Sequence, residues 1–417
     1  MQTNSISELY WLRTVDGTVE RMLRSLGGIL IQGARGCGKS ATALAHSKSA
    51  VRIDSSPQIA EIAQVSPNTV LEGDTPRAID EWQLAPNLWN AARHLIDDRQ
   101  ASGQFIFAGS ATPKDSPIRH SGAGRFARVT MRTMTLSEAR ASTESVSFSE
   151  LMEGNTSGGI GGPTVPEYAE LLVRGGWPAL VTGQVSDSDL FLDQYLESAA
   201  FVDLPDEEWN GDPGRIRGLL RALARNTATE ASKAKIAEES ELSVRSLDGY
   251  LNALRRVFVL EEQPAWAPAL RSSVRLRVKS KWHLCDPALS AFAIGATADS
   301  LLNDLNTFGF LFESLCVHDL RVYAEALRGD VYHYRDESGL EVDAVVELRD
   351  GRWAAFEVKM GGDKAVDTAA GNLLKLANKV NTDVKGSPQN LVVLTAGPAS
   401  YRRSDGVYVV ALGHLRH

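Results

Sequence analysis

The stretch Gly33-Ala34-Arg35-Gly36-Cys37-Gly38-Lys39-Ser40 decides how this chain is read. It fits G-x-x-x-x-G-K-[ST], a loop whose backbone N–H groups wrap phosphate oxygens. The glycines let the chain turn tightly enough to aim those donors at the anion. Lys39 is then placed to neutralise the outer phosphates, and the Ser40 hydroxyl to ligate Mg²⁺. The apolar run Ile29-Leu30-Ile31 leads in as a buried strand, and Ala41-Thr42-Ala43-Leu44-Ala45 leads out as the first turns of a helix. Strand, loop and helix N-terminus together make an anion site, which predicts a nucleotide held by Gly33 through Ala41.

A second half of such a site lies downstream. Ala78-Ile79-Asp80-Glu81-Trp82-Gln83 ends a short apolar run in two adjacent carboxylates. Phosphoryl transfer wants one carboxylate on the Mg²⁺ shell and another near the attacking water, the roles expected of Asp80 and Glu81. A third strand, Phe105 to Gly109, runs into Ser110, whose hydroxyl is expected to sense the γ-phosphate. Arg125 and Arg128 follow a glycine-bearing stretch, and either can serve as an arginine finger; a solvated surface arginine is the equal alternative for each. A finger working in trans would need a neighbouring copy, so a homo-oligomer stays open. ATP with Mg²⁺ is the expected cofactor pair.

Composition bounds the rest. A chain of 417 residues suggests two or three domains, and 43% hydrophobic content suits a globular protein. No apolar run is long enough for a bilayer, and no basic-then-apolar leader opens the chain, so no membrane partner is expected. Cys37, Cys285 and Cys316 stand far apart, without the spacing of a zinc site or disulfide framework, which fits a reducing cytoplasm. The net charge of −8 argues against a wholly basic coat.

Charge is local, however. From Arg215 to Lys281, fourteen basic against seven acidic residues leave the segment at +7. Helical stretches at Ile216–Ala224 and Ala231–Glu239 precede a turn at Glu241-Leu242-Ser243, with Ser243 as N-cap. The next helix puts Leu247, Tyr250, Leu251 and Leu254 on one apolar face. Val257 to Leu260 reads as a strand, and Arg275 to Lys281 alternates with period two, which turns Arg275, Arg277, Lys279 and Lys281 to one side. Helices followed by a basic hairpin describe a winged helix, whose expected partner is nucleic acid, DNA foremost; domain packing is the alternative use.

The C-terminal quarter holds a third constellation. Glu313 lies in the apolar helical stretch Phe308–Leu315. Glu341, Asp343 and Glu347 share one face of a strand, and Glu357 and Lys359 share a side of the next. Asp343 and Glu357 are each seven residues from Asp350, so a hairpin with an odd loop centred there would set them opposite each other. Glu313, Asp343, Glu357 and Lys359 suit phosphodiester cleavage: Asp343 and Glu357 hold Mg²⁺, and Lys359 steadies the attacking water or the developing charge. A fold of this kind kept only for binding or packing is the other reading.

Asp80 through Ala85-Pro86-Asn87-Leu88-Trp89, Gly103-Gln104-Phe105 to Pro113, Gly122-Ala123-Gly124-Arg125, Leu136-Ser137-Glu138 and Arg174-Gly175-Gly176-Trp177-Pro178 together resemble prokaryotic AAA-type P-loop ATPases that carry a C-terminal restriction-endonuclease-like domain of unknown function. The resemblance implies an α/β chain in four parts. These are an AAA-type ATPase domain with a parallel sheet (1–150), a linker and helical subdomain (151–206), a winged helix (207–295) and a C-terminal α/β domain of PD-(D/E)xK type (296–417). It also implies catalytic roles for Glu81, Arg125, Glu313, Asp343, Glu357 and Lys359. The polar run Ala141–Ser145 and the glycines between Gly154 and Pro166 read as a flexible connection.

Overall fold

A computed structural model describes residues 10–109, 122–199, 211–268 and 278–417. Its contacts divide the chain into two compact units, Met1–Thr133 with Arg256–Phe258, and Met134–Arg255 with Val259–His417.

The first unit is built on five strands: β1 (Gly28–Gly33), β2 (Ser49–Arg52), β3 (Arg77–Asp80), β4 (Phe105–Gly109) and β5 (Phe126–Met131). Their spatial order is β2-β3-β4-β1-β5, and every pairing is parallel. The central strands are near-continuous apolar runs because helices cover both faces of such a sheet. Ile29, Ile31, Phe105, Ile106 and Phe107 are accordingly fully buried. Since all five strands run one way, their carboxyl ends gather on one edge. Gly33 and Asp80 are there, while Gly28 and Phe126 pair at the opposite edge. Below the Asp80 turn, Trp82 stacks on Trp89 at 5.2 Å between ring centres, and Trp89 on Phe126 at 4.2 Å.

The second unit contains β6 (Val146–Ser147), β7 (Gly159–Ile160), β8 (Leu260–Gln263), β9 (Lys281–Leu284), β10 (Gly329–Arg335), β11 (Glu341–Leu348), β12 (Trp353–Lys359), β13 (Leu391–Thr395), β14 (Ala399–Arg402), β15 (Tyr408–Ala411) and β16 (Leu415–Arg416). A seven-stranded mixed sheet runs β10-β11-β12-β13-β15-β14-β7. The long helix Leu305–Ala326 packs Phe308, Phe312 and Leu320 into one core layer with Ala354 and Phe356. The helix Asp363–Lys379 packs Val366, Leu373 and Leu376 into the other, with Val342, Trp353 and Ala355.

The first boundary falls near 133, not 150. Val146, Phe148 and Leu151 are fully buried in the same core as Phe356, and β6 pairs with β16. The glycine-bearing stretch read as a flexible connection is likewise ordered: Ile160 pairs with Ala399, and Thr164 and Glu167 form a reciprocal cap on the helix Val165–Arg174. The remaining helices include Ile216–Arg225, Lys233–Glu239 and Val244–Arg256, followed by the antiparallel ribbon β8–β9. The Ser243 hydroxyl accepts from the Ser246 N–H at 3.1 Å, and Leu247, Tyr250, Leu251 and Leu254 are buried as their spacing predicts. The expected strand at Val257–Leu260 starts only at Leu260, because Phe258 adopts a left-handed φ of 59° that breaks extension.

Candidate functional site

The first site sits at the carboxyl ends of β1 and β3. Gly33 has a φ of 152°, and a Cβ on it would lie 2.0 Å from the Met131 carbonyl oxygen, so only glycine lets the loop leave β1 against β5. Gly36 and Gly38 also adopt positive φ, 70° and 109°, and Gly38 caps the helix Lys39–Ala45. Ala34 and Cys37 are buried, and Arg35 projects outward. Lys39 is buried and donates to the Gly33 and Ala34 carbonyls at 3.0 and 2.8 Å, folded over the loop whose phosphate it would neutralise. Ser40 Oγ donates to Asp80 Oδ1 at 2.9 Å. Burial pushes the Asp80 carboxyl above the usual carboxylate range, against the pull of the Ser40 bond and the Arg52 guanidinium. Two hard oxygen donors side by side, next to a cation, suit a Mg²⁺–phosphate group.

Glu81 follows in a left-handed turn, φ 54°, and accepts from Gln83 Nε2 at 2.5 Å. The turn swings its carboxylate out of the strand direction of Asp80. Arg125 is elsewhere. It immediately precedes β5, its carbonyl accepts from Gly28, and its guanidinium donates to Asp97 at 2.8 Å. The length of β1 therefore separates it from its own loop, about 16 Å at the usual rise of a strand. Of the two arrangements open for an Arg125 finger, this placement holds the guanidinium away from its own chain's loop, because a parallel sheet sends the start of β5 to the edge that lacks the loop. Ser110 lies outside the described residues.

Sequence reasoning missed the brace behind the loop. Arg13, almost fully buried, donates to the Cys37 carbonyl and to the Arg132 carbonyl, both at 2.9 Å. Asp16 accepts from the Arg13 backbone N–H at 2.7 Å and from Tyr10 at 2.7 Å, and it lies 2.9 Å from His46 Nε2. Tyr10 also meets Thr42 at 2.9 Å. No local motif announces this set, because its partners lie up to 119 residues apart in sequence.

The second cluster lies in the C-terminal sheet. β11 and β12 pair Glu347 with Trp353 through Ala344 with Phe356, a register centred on Asp350 with an odd turn, as expected. Continued by one pair, it sets Asp343 opposite Glu357. Lys359 Nζ is 2.7 Å from Glu357 Oε2 and 3.4 Å from Asp343 Oδ2, and Val358 N–H donates to Asp343 Oδ2 at 2.8 Å. The four expected residues are thus brought together, with Glu313 supplied by the long helix.

Two details differ from expectation. Glu341, Asp343 and Glu347 do not share a simple face: the register with β10 shifts between Tyr332 and Tyr334, and Val342 joins the same core layer as Val345. Such a bulge re-aims a side chain, here Asp343. The second difference is Lys281. Expected on the basic face of a wing, it is instead buried, 2.6 Å from Glu313 Oε1 and 3.6 Å from Asp343 Oδ1. Asn372 Nδ2 donates to Glu357 Oε1 at 3.2 Å, also unforeseen.

Burial lifts Glu313 to about 8 and Glu357 to about 7, with the Asp343 charge adding to both; the two lysines hold Asp343 below its usual range. Among the described residues no three His, Cys, Asp or Glu side chains converge as a metal cage. The oxygen donors suit Mg²⁺ in kind, but they are closed around an ammonium.

The basic segment is less free than its sum of charges suggests. Arg217 is held by Glu197 and Asp193, Arg225 by Glu239, Lys233 by Asp248 and Arg255 by Glu262. Arg275 and Arg277 lie outside the described residues. No helix is long and apolar enough to cross a membrane among the described residues.

Comparison with known proteins divides along the same lines. Residues 27–140 match a family model described as an AAA domain, which supports an AAA-type ATPase in the first unit. Residues 165–300 and 308–415 match two models described as domains of unknown function, DUF8612 and DUF4143. The chain is 24% identical over 352 residues to uncharacterized proteins of Mycobacterium bovis and Mycobacterium tuberculosis, covering 83% of its own length and 73% of theirs. Among solved structures it is similar to the Walker-type ATPase PABY2304 of Pyrococcus abyssi, with a TM-score of 0.42 and 14% identity over 69% of this chain and 96% of that one. It is also similar to the replication initiator DnaA bound to AMPPCP and single-stranded DNA, with a TM-score of 0.29 and 14% identity over 60% and 90%.

Proposed function

We propose that this protein binds and hydrolyses ATP with Mg²⁺ and couples its nucleotide state to a nucleic acid, DNA foremost. The observation that carries the reading is the pairing of Ser40 Oγ with Asp80 Oδ1 at 2.9 Å, beside Lys39 on a strand–loop–helix turn. In the bound state Lys39 and the loop N–H groups would take the phosphates, Ser40 and Asp80 would hold Mg²⁺, and Glu81 would orient the attacking water. Bound Mg²⁺ supplies charge neutralisation at the phosphoryl group. The placement of Arg125 at the far edge supports a finger acting in trans, hence a homo-oligomer.

Three helices and a two-stranded ribbon between 216 and 284 support reading 207–295 as a winged helix that is the nucleic-acid element. Helix, antiparallel β10–β11–β12, then helix and the parallel strand β13, with Glu313, Asp343, Glu357 and Lys359 on them, support a restriction-endonuclease-like reading of the C-terminal sheet, able in principle to cleave phosphodiesters. A second reading, in which that sheet cuts nothing and the protein is an ATP-dependent binding switch, is favoured by the Lys281 ammonium between Glu313 and Asp343.

The deciding experiment measures ATP turnover, and cleavage of single- and double-stranded DNA with Mg²⁺ or Mn²⁺, for the parent, Asp80→Asn, Asp343→Ala and Lys281→Met. Turnover lost in Asp80→Asn is expected; its persistence would sink the ATP-site assignment. Cleavage by the parent that Asp343→Ala loses would establish the nuclease reading; no cleavage by the parent or by Lys281→Met, which removes the ammonium between Glu313 and Asp343, beside full ATP turnover would establish the switch.

A further inference from the structure

The C-terminal cluster holds three buried carboxylates and two ammonium groups, of which Lys281 is buried and Lys359 is partly open to solvent. Lys359 and Asn372 account for Glu357, and Lys359 with Val358 N–H for one oxygen of Asp343. Of the oxygens left over, Glu313 Oε1 and Asp343 Oδ1 converge on Lys281 Nζ. This lysine is not a surface side chain that happens to reach in. It begins β9, opposite Gln263 of β8. The Gln263 amide donates to the Tyr332 and Asp343 carbonyls at 3.0 and 2.9 Å, and His333 Nε2 lies 2.9 Å from the Lys279 carbonyl. The ribbon is therefore stitched to β10 and β11 on both sides of the residue that delivers the charge. The side chain of Lys281 is 9% exposed, and those of Glu313 and Asp343 are 12% and 14% exposed. A buried ammonium that reaches two carboxylates occupies the place, and satisfies the charge, that a divalent cation would otherwise take.

We propose that Lys281 is a tethered competitor for the divalent cation of this cluster, an autoinhibitory contact that keeps the site metal-free until the ammonium is displaced. The inference rests on the restriction-endonuclease-like reading of the sheet and adds its regulation. Removing Lys281 takes one positive charge out of the cluster and frees the two carboxylate oxygens it occupies, Glu313 Oε1 and Asp343 Oδ1, for a divalent ion. Metal entry and lysine exit are thus one exchange. The β8–β9 ribbon, by carrying Lys281, links the helical segment before it to metal occupancy in the sheet.

The test measures Mn²⁺ binding by electron paramagnetic resonance, without nucleotide, for the parent, Lys281→Met and Lys281→Met with Asp343→Asn. Lys281→Met is expected to gain a site at least about tenfold tighter than any in the parent, worth about 1.4 kcal/mol, and the double variant to lose it. An Asp343-dependent site of equal affinity in parent and Lys281→Met would overturn the competition while leaving the nuclease-like reading intact. Absence of any Asp343-dependent site in a folded Lys281→Met, checked by its thermal melt, would overturn both. Should Lys281→Met fail to fold, acetylation of the parent followed by mass spectrometry decides. Lys281 should be protected alone and become labelled at millimolar Mn²⁺, but not in Asp343→Asn; unchanged protection overturns the exchange.

Discussion

Arg13→Ala is the sharpest test of how the nucleotide loop is held. The guanidinium spans two main-chain carbonyls, Cys37 inside the loop and Arg132 just beyond β5, at 2.9 Å each. Bonds from a charged donor contribute roughly 1.5–3 kcal/mol apiece, so about 3–6 kcal/mol of local interaction is lost. Relief from burying a guanidinium offsets a few kcal/mol of that, leaving a net loss of about 2–3 kcal/mol. The loss falls on the loop, because the Cys37 carbonyl must then turn toward water and carry neighbouring N–H groups away from the phosphates. At 1.4 kcal/mol per decade, ATP affinity should weaken about thirtyfold to a hundredfold. Arg13→Lys should fall between, since one ammonium lacks the planar fork that serves both carbonyls. Fluorescent-nucleotide titration gives the Kd, and Asp16, which accepts from the Arg13 backbone rather than its side chain, should keep its bond. An Arg13→Ala protein with parental Kd would refute the brace.

Three further outcomes follow from named contacts. Gly33→Ala should abolish ATP binding and lower the thermal midpoint, since its Cβ would meet the Met131 carbonyl oxygen at 2.0 Å, and backbone cannot rotate away as a side chain can; a normal Kd would mean the loop leaves β1 differently. Arg125→Ala should leave the ATP Kd unchanged while slowing turnover only under conditions of self-association, which a concentration series of hydrolysis rates would reveal. Glu313 and Glu357 keep protons in the folded chain, to about 8 and about 7, that the unfolded chain releases near the ordinary 4.5. Their contribution to stability is therefore full below that value and lost as pH rises through 7 to 8. Glu313→Gln should flatten the decline in urea midpoint between mildly acid and mildly alkaline pH, and an unchanged slope would contradict the buried-proton account.

The nucleotide loop and the C-terminal hairpin were legible because their information is local. Gly33 to Ser40 specifies its own turn, and one bend centred on Asp350 fixes that Asp343 faces Glu357. The apolar face of the helix Val244–Arg256 was legible for the same reason, a period of 3.6 that follows from its backbone alone. The boundary near 133 was not, because Val146 and Phe148 are assigned to a core by partners more than a hundred residues away. The polar stretch around them gave the opposite cue.

Charge was the least legible property of all. Alternation along Arg275 to Lys281 tells which side a lysine takes, but not whether water or carboxylates wait there. Only the tertiary structure brings Glu313 of the long helix and Asp343 of β11 to 2.6 and 3.6 Å from Lys281. It alone sends Arg125 to the far edge of the parallel sheet, away from the loop. The sequence by itself determined which residues can bind phosphate or metal, through side-chain chemistry and backbone geometry that neighbours in the chain dictate. Which charges meet, and which are buried, was decided by packing between distant segments, because desolvation and Coulomb interaction depend on distance in space and not on separation along the chain.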